Sequence, residues 1–405
     1  MIDFVAIGRC PILTSIYIHV PFCRTRCGYC DFNTYAGMQH LMPAYVSALL
    51  SEISYITHMA SMVTPIHTIY LGGGTPSLLS IRQVERILTE ITKKFNLARD
   101  AEITMEANPG SLDLKYLRHL RIIGVNRISM GMQSSHPDDL RVLERGHDTF
   151  QVIHSIKDAR KAGFENLSLD LIYGIPGQTL DRWRDTLKLV IGLAPQHLSL
   201  YSLTIEEGTP LHTLYRKGSL PLLDEDLSAD MYEAAMDDLA ESGYFQYEIS
   251  NWAKKDKDGI LLASRHNLQY WLNEPYIGIG AGAHGSWLGF RLANKSGILP
   301  YIQSMQQQST FSIPGTPATE VLTPVNSMTQ MQETMMVGLR LTEAGLSNKS
   351  FVNRFGKSME EVFGEIIRDL AQKGLLEWVE SGDTSILRLT RRGRLLGNQV
   401  FREFV

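Results

Sequence analysis

Residues 16–30 read IYIHVPFCRTRCGYC, and both the fold and the chemistry turn on this stretch. Its first part, 16–20, is rich in β-branched residues and predicts a short strand. Pro21 and Gly28 then break the chain into a loop. On that loop stand Cys23, Cys27 and Cys30, separated by three and two residues. Three thiolates on one short loop can converge on one soft metal centre. An iron–sulfur cluster usually takes four Cys ligands. A local set of three therefore leaves one metal position open for a small molecule, as in catalytic metal sites. Two other readings stay open on spacing alone. One is a structural zinc completed by His19 or Cys10; the other is buried thiols with no ligand. Cys10 is the one remaining cysteine in 405 residues. That is too few for a disulfide scaffold, and the clustering suits a reducing compartment, so a cytoplasmic location is expected.

Five more β-rich runs follow, at 68–71, 102–106, 127–130, 167–172 and 197–200. Helical patterns at 45–59, 81–95, 114–123, 138–143, 150–162 and 179–193 separate them. Six β–α units in a row predict an α/β fold with a parallel sheet and right-handed crossovers, either doubly wound or an open barrel. Ligands bind at the carboxyl edge of such sheets, and chemistry-bearing residues follow the strands. Gly72-Gly73-Gly74-Thr75-Pro76 allows backbone N–H groups to approach an anion closely, with neither P-loop nor dinucleotide spacing. Glu106 could accept hydrogen bonds from an amine or a ribose, or merely cap a turn. Gln133 follows the fourth strand. Arg145 could grip a carboxylate in bidentate fashion or be a solvated charge. Asp170 sits inside the apolar run LSLDLIYG, where a charge is costly unless paired or bound.

Beyond residue 205 the pattern loosens. A helix is expected at 228–242, followed by aromatic and Gly-rich segments around Trp252, Trp271 and 278–285. Residues 303–325 carry Gln303, Gln306, Gln307, Gln308, Pro314, Pro317 and Pro324 and read as a linker. The remainder predicts a winged-helix-like α+β module: an amphipathic helix at 359–373 closed by Gly374, then the hairpin LLEWVE–SGDT–SILRLT. The expected division is 1–205, 206–302, 303–325 and 326–405. The net charge is −4, and basic and acidic residues nearly balance over 331–405, so no nucleic-acid partner is expected. No apolar run is long enough to span a membrane, and Asp3 without a basic start gives no signal peptide.

In combination, YIHVPFCRTRCGYC, GGGTPS, MEANPG, ISMGMQS and LDLIYGIPGQT resemble the radical S-adenosylmethionine (SAM) enzymes. The resemblance covers nearly the whole chain. It is strongest to the branch holding oxygen-independent coproporphyrinogen III oxidase and related heme chaperones. It implies a partial (β/α)6 barrel and a 4Fe-4S cluster on Cys23, Cys27 and Cys30. The open iron of that cluster chelates SAM, and an electron, hence an electron donor, cleaves it to a 5′-deoxyadenosyl radical. It also implies SAM contacts at Tyr17, Tyr29, Gly73, Gly74, Thr75, Glu106, Gln133, Arg145 and Asp170. The residues matching Gln133, Arg145 and Asp170 hold a second SAM in some members.

Two departures favour the chaperone side of that branch. The oxidases carry a further Cys where this chain has Phe32, and a longer segment before the cluster loop. RHNLQYW, 265–271, matches the HNxxYW motif of the chaperones, which implies heme contact at His266 beside Tyr270 and Trp271. His284, in GIGAGAHGSW, is taken as structural. The expected function is a chaperone that binds heme, cluster and SAM and passes heme to an acceptor protein, which could lie at a membrane. The alternative is oxidative decarboxylation of coproporphyrinogen III propionates to vinyl groups.

Overall fold

Seven parallel strands sharing one carboxyl edge make the frame. The structure, a computed structural model, describes residues 13–57, 65–307 and 311–405; Cys10, the end of the helix expected at 45–59 and Gln308 lie outside them. In chain order the first six strands are β1 (Thr14–Val20), β2 (Ile66–Gly73), β3 (Leu97–Ala107), β4 (Arg127–Gln133), β5 (Asn166–Tyr173) and β6 (His197–Ser202). Each neighbour pair is parallel and in sequence order. The crossovers carry α1 (Met42–Thr57), α2 (Ile81–Lys94), α3 (Leu114–Ile122), α4 (Pro137–Val142), α5 (Thr149–Lys161) and α6 (Leu180–Leu193). Their local signals are strong. Ser80 with Gln83 and Asp148 with Gln151 form capping boxes at the starts of α2 and α5. Val84, Ile87, Leu88 and Ile91 put one buried stripe of α2 on the sheet.

The sheet continues past both ends of this run. After α7 (Pro210–Arg216) and α8 (Glu225–Glu241), β7 (Phe245–Glu248) and β8 (Asn251–Ala253) add antiparallel strands beside β6. After α9 (Arg265–Trp271), β9 (Tyr276–Ile279) pairs parallel with β1 and makes the seventh parallel strand. Then β10 (His284–Trp287), β11 (Phe290–Asn294), α10 (Ile298–Gln306) and β12 (Thr319–Pro324) follow. The order is β12-β11-β10-β9-β1-β2-β3-β4-β5-β6-β8-β7, and its two ends are not joined. It is the open barrel of the expected fold.

The described parts of the segment expected to be a linker, 303–325, are instead built into this body. Gln303 and Gln306 lie in α10, and β12 pairs with β11. The physical reason is that β12 is an outer edge strand, half-buried or exposed throughout. An edge strand carrying Pro at its end has the polarity and punctuation of a linker.

The C-terminal residues have a separate apolar core that includes Met335, Leu339, Phe351, Ile367, Leu387 and Phe404. It is built from α11 (Ser327–Gly338), α12 (Asn348–Phe355), α13 (Met359–Gln372) and a small sheet of β13 (Leu346–Ser347), β14 (Leu376–Ser381) and β15 (Thr384–Leu389). Gly382 turns the β14–β15 hairpin at φ +61°. Three arginines near the end are already engaged. Arg388 pairs with Glu343 and Glu377, Arg394 with Glu343, and Arg391 reaches Asp237 of α8.

One buried carboxylate ties the late strands to the barrel. Glu52 of α1 accepts hydrogen bonds from Tyr301 Oη (2.6 Å), Asn294 Nδ2 (2.6 Å), Gly280 N (2.8 Å) and Thr316 Oγ1 (3.2 Å). Its partners lie on four separate segments after residue 275. Nothing in the helical pattern of α1 marks it. Glu52→Ala strands these donors in the interior and is expected to lower stability by on the order of 3 kcal/mol, read as a fall in the urea unfolding midpoint.

Candidate functional site

The carboxyl ends of β1 to β6 enclose a cavity of about 410 Å³, a volume within the range of small-molecule sites. The cysteine loop forms its upper wall. Thr75 N donates to Phe22 O (2.8 Å) and Gly74 N to Val20 O (2.9 Å), while Leu211 N donates to Gly28 O (2.8 Å). These bonds hold the loop against the glycine turn and α7. Gly73 adopts φ +110°, and a Cβ there would stand 2.5 Å from the His19 ring. At Gly74 a Cβ would stand 3.1 Å from Cys23 Sγ. Glycine at both positions is what lets the turn lie against the thiols.

All three thiols face the cavity. Cys23 Sγ accepts from Thr75 Oγ1 (3.7 Å), Cys27 Sγ accepts from Arg145 Nη1 (3.4 Å), and Cys30 Sγ lies 3.7 Å from Thr34 Oγ1. Hydrogen bonds to sulfur stabilise thiolate ligands. Among the described residues, no three Cys, His, Asp or Glu side chains gather on a point suited to one ion. His19 is committed elsewhere: Nε2 donates to Asn33 O (2.9 Å) and Nδ1 accepts from Tyr17 Oη (2.9 Å). Three separated thiols with a cavity below them fit a multi-iron cluster better than a single zinc, which draws its ligands together.

Most of the sequence candidates meet in this cavity. Tyr29, Gly73, Gly74, Thr75, Glu106, Gln133, Arg145 and Asp170 all line it. Gln133 sits at φ +64° where β4 bulges beside β5, a costly conformation for a non-glycine residue that turns its amide inward. Arg145 Nη2 donates to Asn108 Oδ1 (2.7 Å) and Gly131 O (2.8 Å). Tyr29 packs beside the apolar group of Leu143, Ile172, Ile175, Leu203 and Leu211.

Two candidates lie elsewhere. Tyr17 bonds His19 and stacks on Tyr70, with ring centroids 6.2 Å apart, and does not line the cavity. His266, 1% exposed, is buried beneath it. Thr68 Oγ1 donates to Ser15 Oγ (2.6 Å), so it accepts from His266 Nδ1 (2.7 Å); His266 Nε2 then accepts from Tyr270 Oη (2.9 Å). Both ring nitrogens are used, and burial pushes the imidazole down to about 3. Heme contact was the expectation at His266; in this structure the imidazole is a neutral internal strut bonded at both nitrogens. Trp271 of the same motif lies under Arg340 of the C-terminal module, 4.4 Å from guanidinium to ring centroid.

The floor holds residues that the sequence reading passed over. Arg127 is 2% exposed, yet it lines the cavity, and its Nε has no hydrogen-bond partner. Arg145 Nε is likewise buried and unpaired. Orphaned donors aimed at a cavity are what a bound anionic or hydroxyl-rich molecule would satisfy. Tyr70 Oη donates to Glu106 Oε1 (2.8 Å) and Gly73 N to its Oε2 (3.0 Å). Arg127 was visible as a charge opening the apolar strand RISMGMQ, and Tyr70 as the aromatic before the glycines.

Two acids stand near this floor. Burial, with the charge of Asp170 adding to it, pushes Glu106 up to about 7 against the hydrogen bonds from Tyr70 and Gly73. Burial also raises Asp170, against hydrogen bonds from serines including Ser199 and Ser129 and the charge of Arg127. A carboxyl raised from 4.5 to about 7 stabilises the fold at low pH, and that contribution is lost as pH rises through the folded value. The loss is on the order of 3 kcal/mol. Glu106→Gln should therefore gain stability relative to the parent between pH 5 and 8, seen as a thermal midpoint that falls less steeply with pH.

Comparison with known proteins agrees with this architecture. The radical SAM superfamily pattern matches residues 17–190, and the HemN C-terminal domain pattern matches residues 326–396. Heme chaperone HemW of Bacillus subtilis is 39% identical over 395 residues, covering 97% of this chain and 99% of that protein. HemW of Lactococcus lactis is 38% identical over 391 residues, covering 96% and 97%. The solved coproporphyrinogen III oxidase HemN of Escherichia coli superposes with a TM-score of 0.79 at 24% identity, covering 96% of this chain and 89% of that one, and so shares the fold. Radical SAM membership implies a 4Fe-4S cluster and SAM, and the thiol set, glycine turn and unpaired donors fit both. Identity of this extent over the full length places the chain in the radical SAM superfamily, within the family of heme chaperone HemW and its relatives.

Proposed function

We propose that this chain is a heme chaperone, a carrier that binds heme and passes it to acceptor proteins, built on a radical SAM site. Its near-full-length identity to proteins named heme chaperone HemW supports this reading. The observation that carries it is Phe32. Where the oxidase motif has a further thiol, an aromatic side chain 64% exposed stands at the mouth of the cavity. That position offers a flat apolar face to a ligand outside the cavity. Asp31 and Arg26 flank it on the lining.

In this reading Cys23, Cys27 and Cys30 hold the cluster. When bound, the cluster and SAM supply one-electron chemistry at the open iron. The protein's part is to position and shield. Gly73, Gly74 and Thr75 line the wall where the amino-acid end of SAM would lie, their own N–H groups being bonded to Glu106, Val20 and Phe22. Glu106 and Asp170 accept hydrogen bonds from its hydroxyl and amine donors, and Gln133 and Arg145 close the far wall. Arg145, bonded at once to Cys27, Asn108 and Gly131, fixes the loop to the barrel. Tyr17 and His266 act behind this lining, in the buried network under the glycine turn. Heme delivery is a cytoplasmic activity in this proposal. No helix among the described residues is long and apolar enough to cross a membrane.

Two measurements on one anaerobic preparation test the proposal. Reconstitution with iron and sulfide should give the broad visible absorbance of a cluster, lost in Cys23→Ala. The same protein should bind heme near one to one and release no CO2 from coproporphyrinogen III in the presence of SAM and reductant. Sustained CO2 release with SAM consumption would establish the oxidase reading instead.

A further inference from the structure

The roles proposed for SAM and heme leave one buried cation unused. Arg127 opens β4 and is 2% exposed, yet it lines the cavity. Its Nε has no hydrogen-bond partner, and its guanidinium makes no ion pair among the described residues. A buried charge normally has a direct partner, because the interior does not replace its hydration shell. The two acids of the cavity do not serve. Glu106 and Asp170 both feel the charge of Arg127, but neither forms an ion pair with it, and burial holds both toward the neutral carboxyl.

Strand register shows how deep this charge lies. Arg127 is level with Thr104 of β3 and Asn166 of β5, and Thr104 is level with Tyr70 of β2. Residues in register share a face of the sheet, so these four form one row across the barrel. Asp170 is level with Gly131, four residues further along β4, which at about 3.3 Å per residue sets it roughly 13 Å above the row. Gly73 and Gly74 also stand above the row, since they follow Tyr70 toward the carboxyl edge. Two more unpaired polar atoms belong to the row, Thr104 Oγ1 and Asn166 Oδ1. From below, α9 closes the barrel. Arg265 N and His266 N each donate to the Glu102 carboxylate at 3.2 Å, two residues before Thr104. Asn267 of α9 lines the same cavity as Arg127.

We propose that this row is a second ligand compartment of the barrel, beneath the SAM site, and that it takes a small oxyanion, a carboxylate or a phosphate, gripped by Arg127. A guanidinium matches two oxygens of such a group with two parallel N–H donors. Thr104 and Asn267 add a hydroxyl and an amide from the same row and cavity. Asn166 Oδ1 accepts from an acid proton or a hydroxyl of the same molecule. Water alone would satisfy the orphaned Nε and leave the charge unmatched. Depth separates this ligand from SAM, whose amino-acid end belongs at the cluster above. The compartment is also independent of where heme docks, so it gives the chain a further ligand rather than a second account of the first.

Two probes titrated into the full-length chain test the compartment: trifluoroacetate, read by its fluorine NMR line width, and inorganic phosphate, read by phosphorus NMR. At least one should bind at a single site, and the tighter of the two names the ligand class. Arg127→Met should weaken that binding at least tenfold. Arg127→Lys, which keeps the buried charge and loses the paired donors, should weaken it less. Circular dichroism checks that both variants are folded; if Arg127→Met is not, Arg127→Lys and competition with SAM carry the test. SAM added to the reconstituted parent should leave the bound probe in place. Displacement of the probe by SAM would assign Arg127 to the SAM pocket and overturn the inference. So would binding that neither variant changes, or the absence of binding by both probes.

Discussion

The constraint on which everything else depends is the shared polarity of the parallel strands. Because β9 and β1 to β6 all run the same way, every turn that leaves their carboxyl ends reaches one edge. The cysteine loop, the glycine turn, Glu106, Gln133 and the turn before His284 are far apart in sequence and meet there for that reason alone. The antiparallel strands outside this run extend the sheet without adding to the cavity wall. Glu52 then acts as the fastener, holding four late segments against α1 so that β9 stays in register with β1.

The same arrangement gives the barrel an unusually polar inside. Beneath the cavity, hydroxyls, imidazoles and an amide from Ser15, Thr68, His67, Gln269, His266 and Tyr270 bond one another. A closed network of this kind costs little once every member has a partner, whereas a single orphan is expensive. Among the buried side-chain atoms left without a partner, Arg127 Nε and Arg145 Nε belong to residues that line the cavity, while others, such as Glu248 Oε2 and Trp271 Nε1, lie away from it. Glu106 and Asp170 lie at the boundary, partly satisfied by the protein and raised by burial.

Much of the fold was legible in the chain. The six parallel strands and their crossover helices were marked by apolar runs and amphipathic periods, because each element buries a continuous face on a common core. The strand-end residues were legible too, since a charge or a glycine run beside an apolar strand stands out. Arg127 was less visible, because a charge at the start of a strand reads as solvated until the barrel closes over it. β9 and β12 were missed because one is four residues long and the other is a polar edge, so neither carries a periodic signal. Glu52 looked like any helix acid, and its role depends on partners more than 200 residues away.

The histidines show most sharply where sequence stops and tertiary structure begins. By itself, the sequence determined the class of fold, the three thiols of one cluster loop, the residues that wall its cavity and the substitution of Phe32 for a cysteine. Those features are local, since each depends on spacing within a loop or on one strand's pattern. What each buried histidine bonds was decided only in three dimensions. His266 stands in a motif that the sequence marks, but what its ring nitrogens bond within the fold depends on residues distant in the chain. Packing gives the nitrogens of His266 to Thr68 and Tyr270. A ligand's availability is set by which groups surround it, and only the assembled sheet brings those groups together.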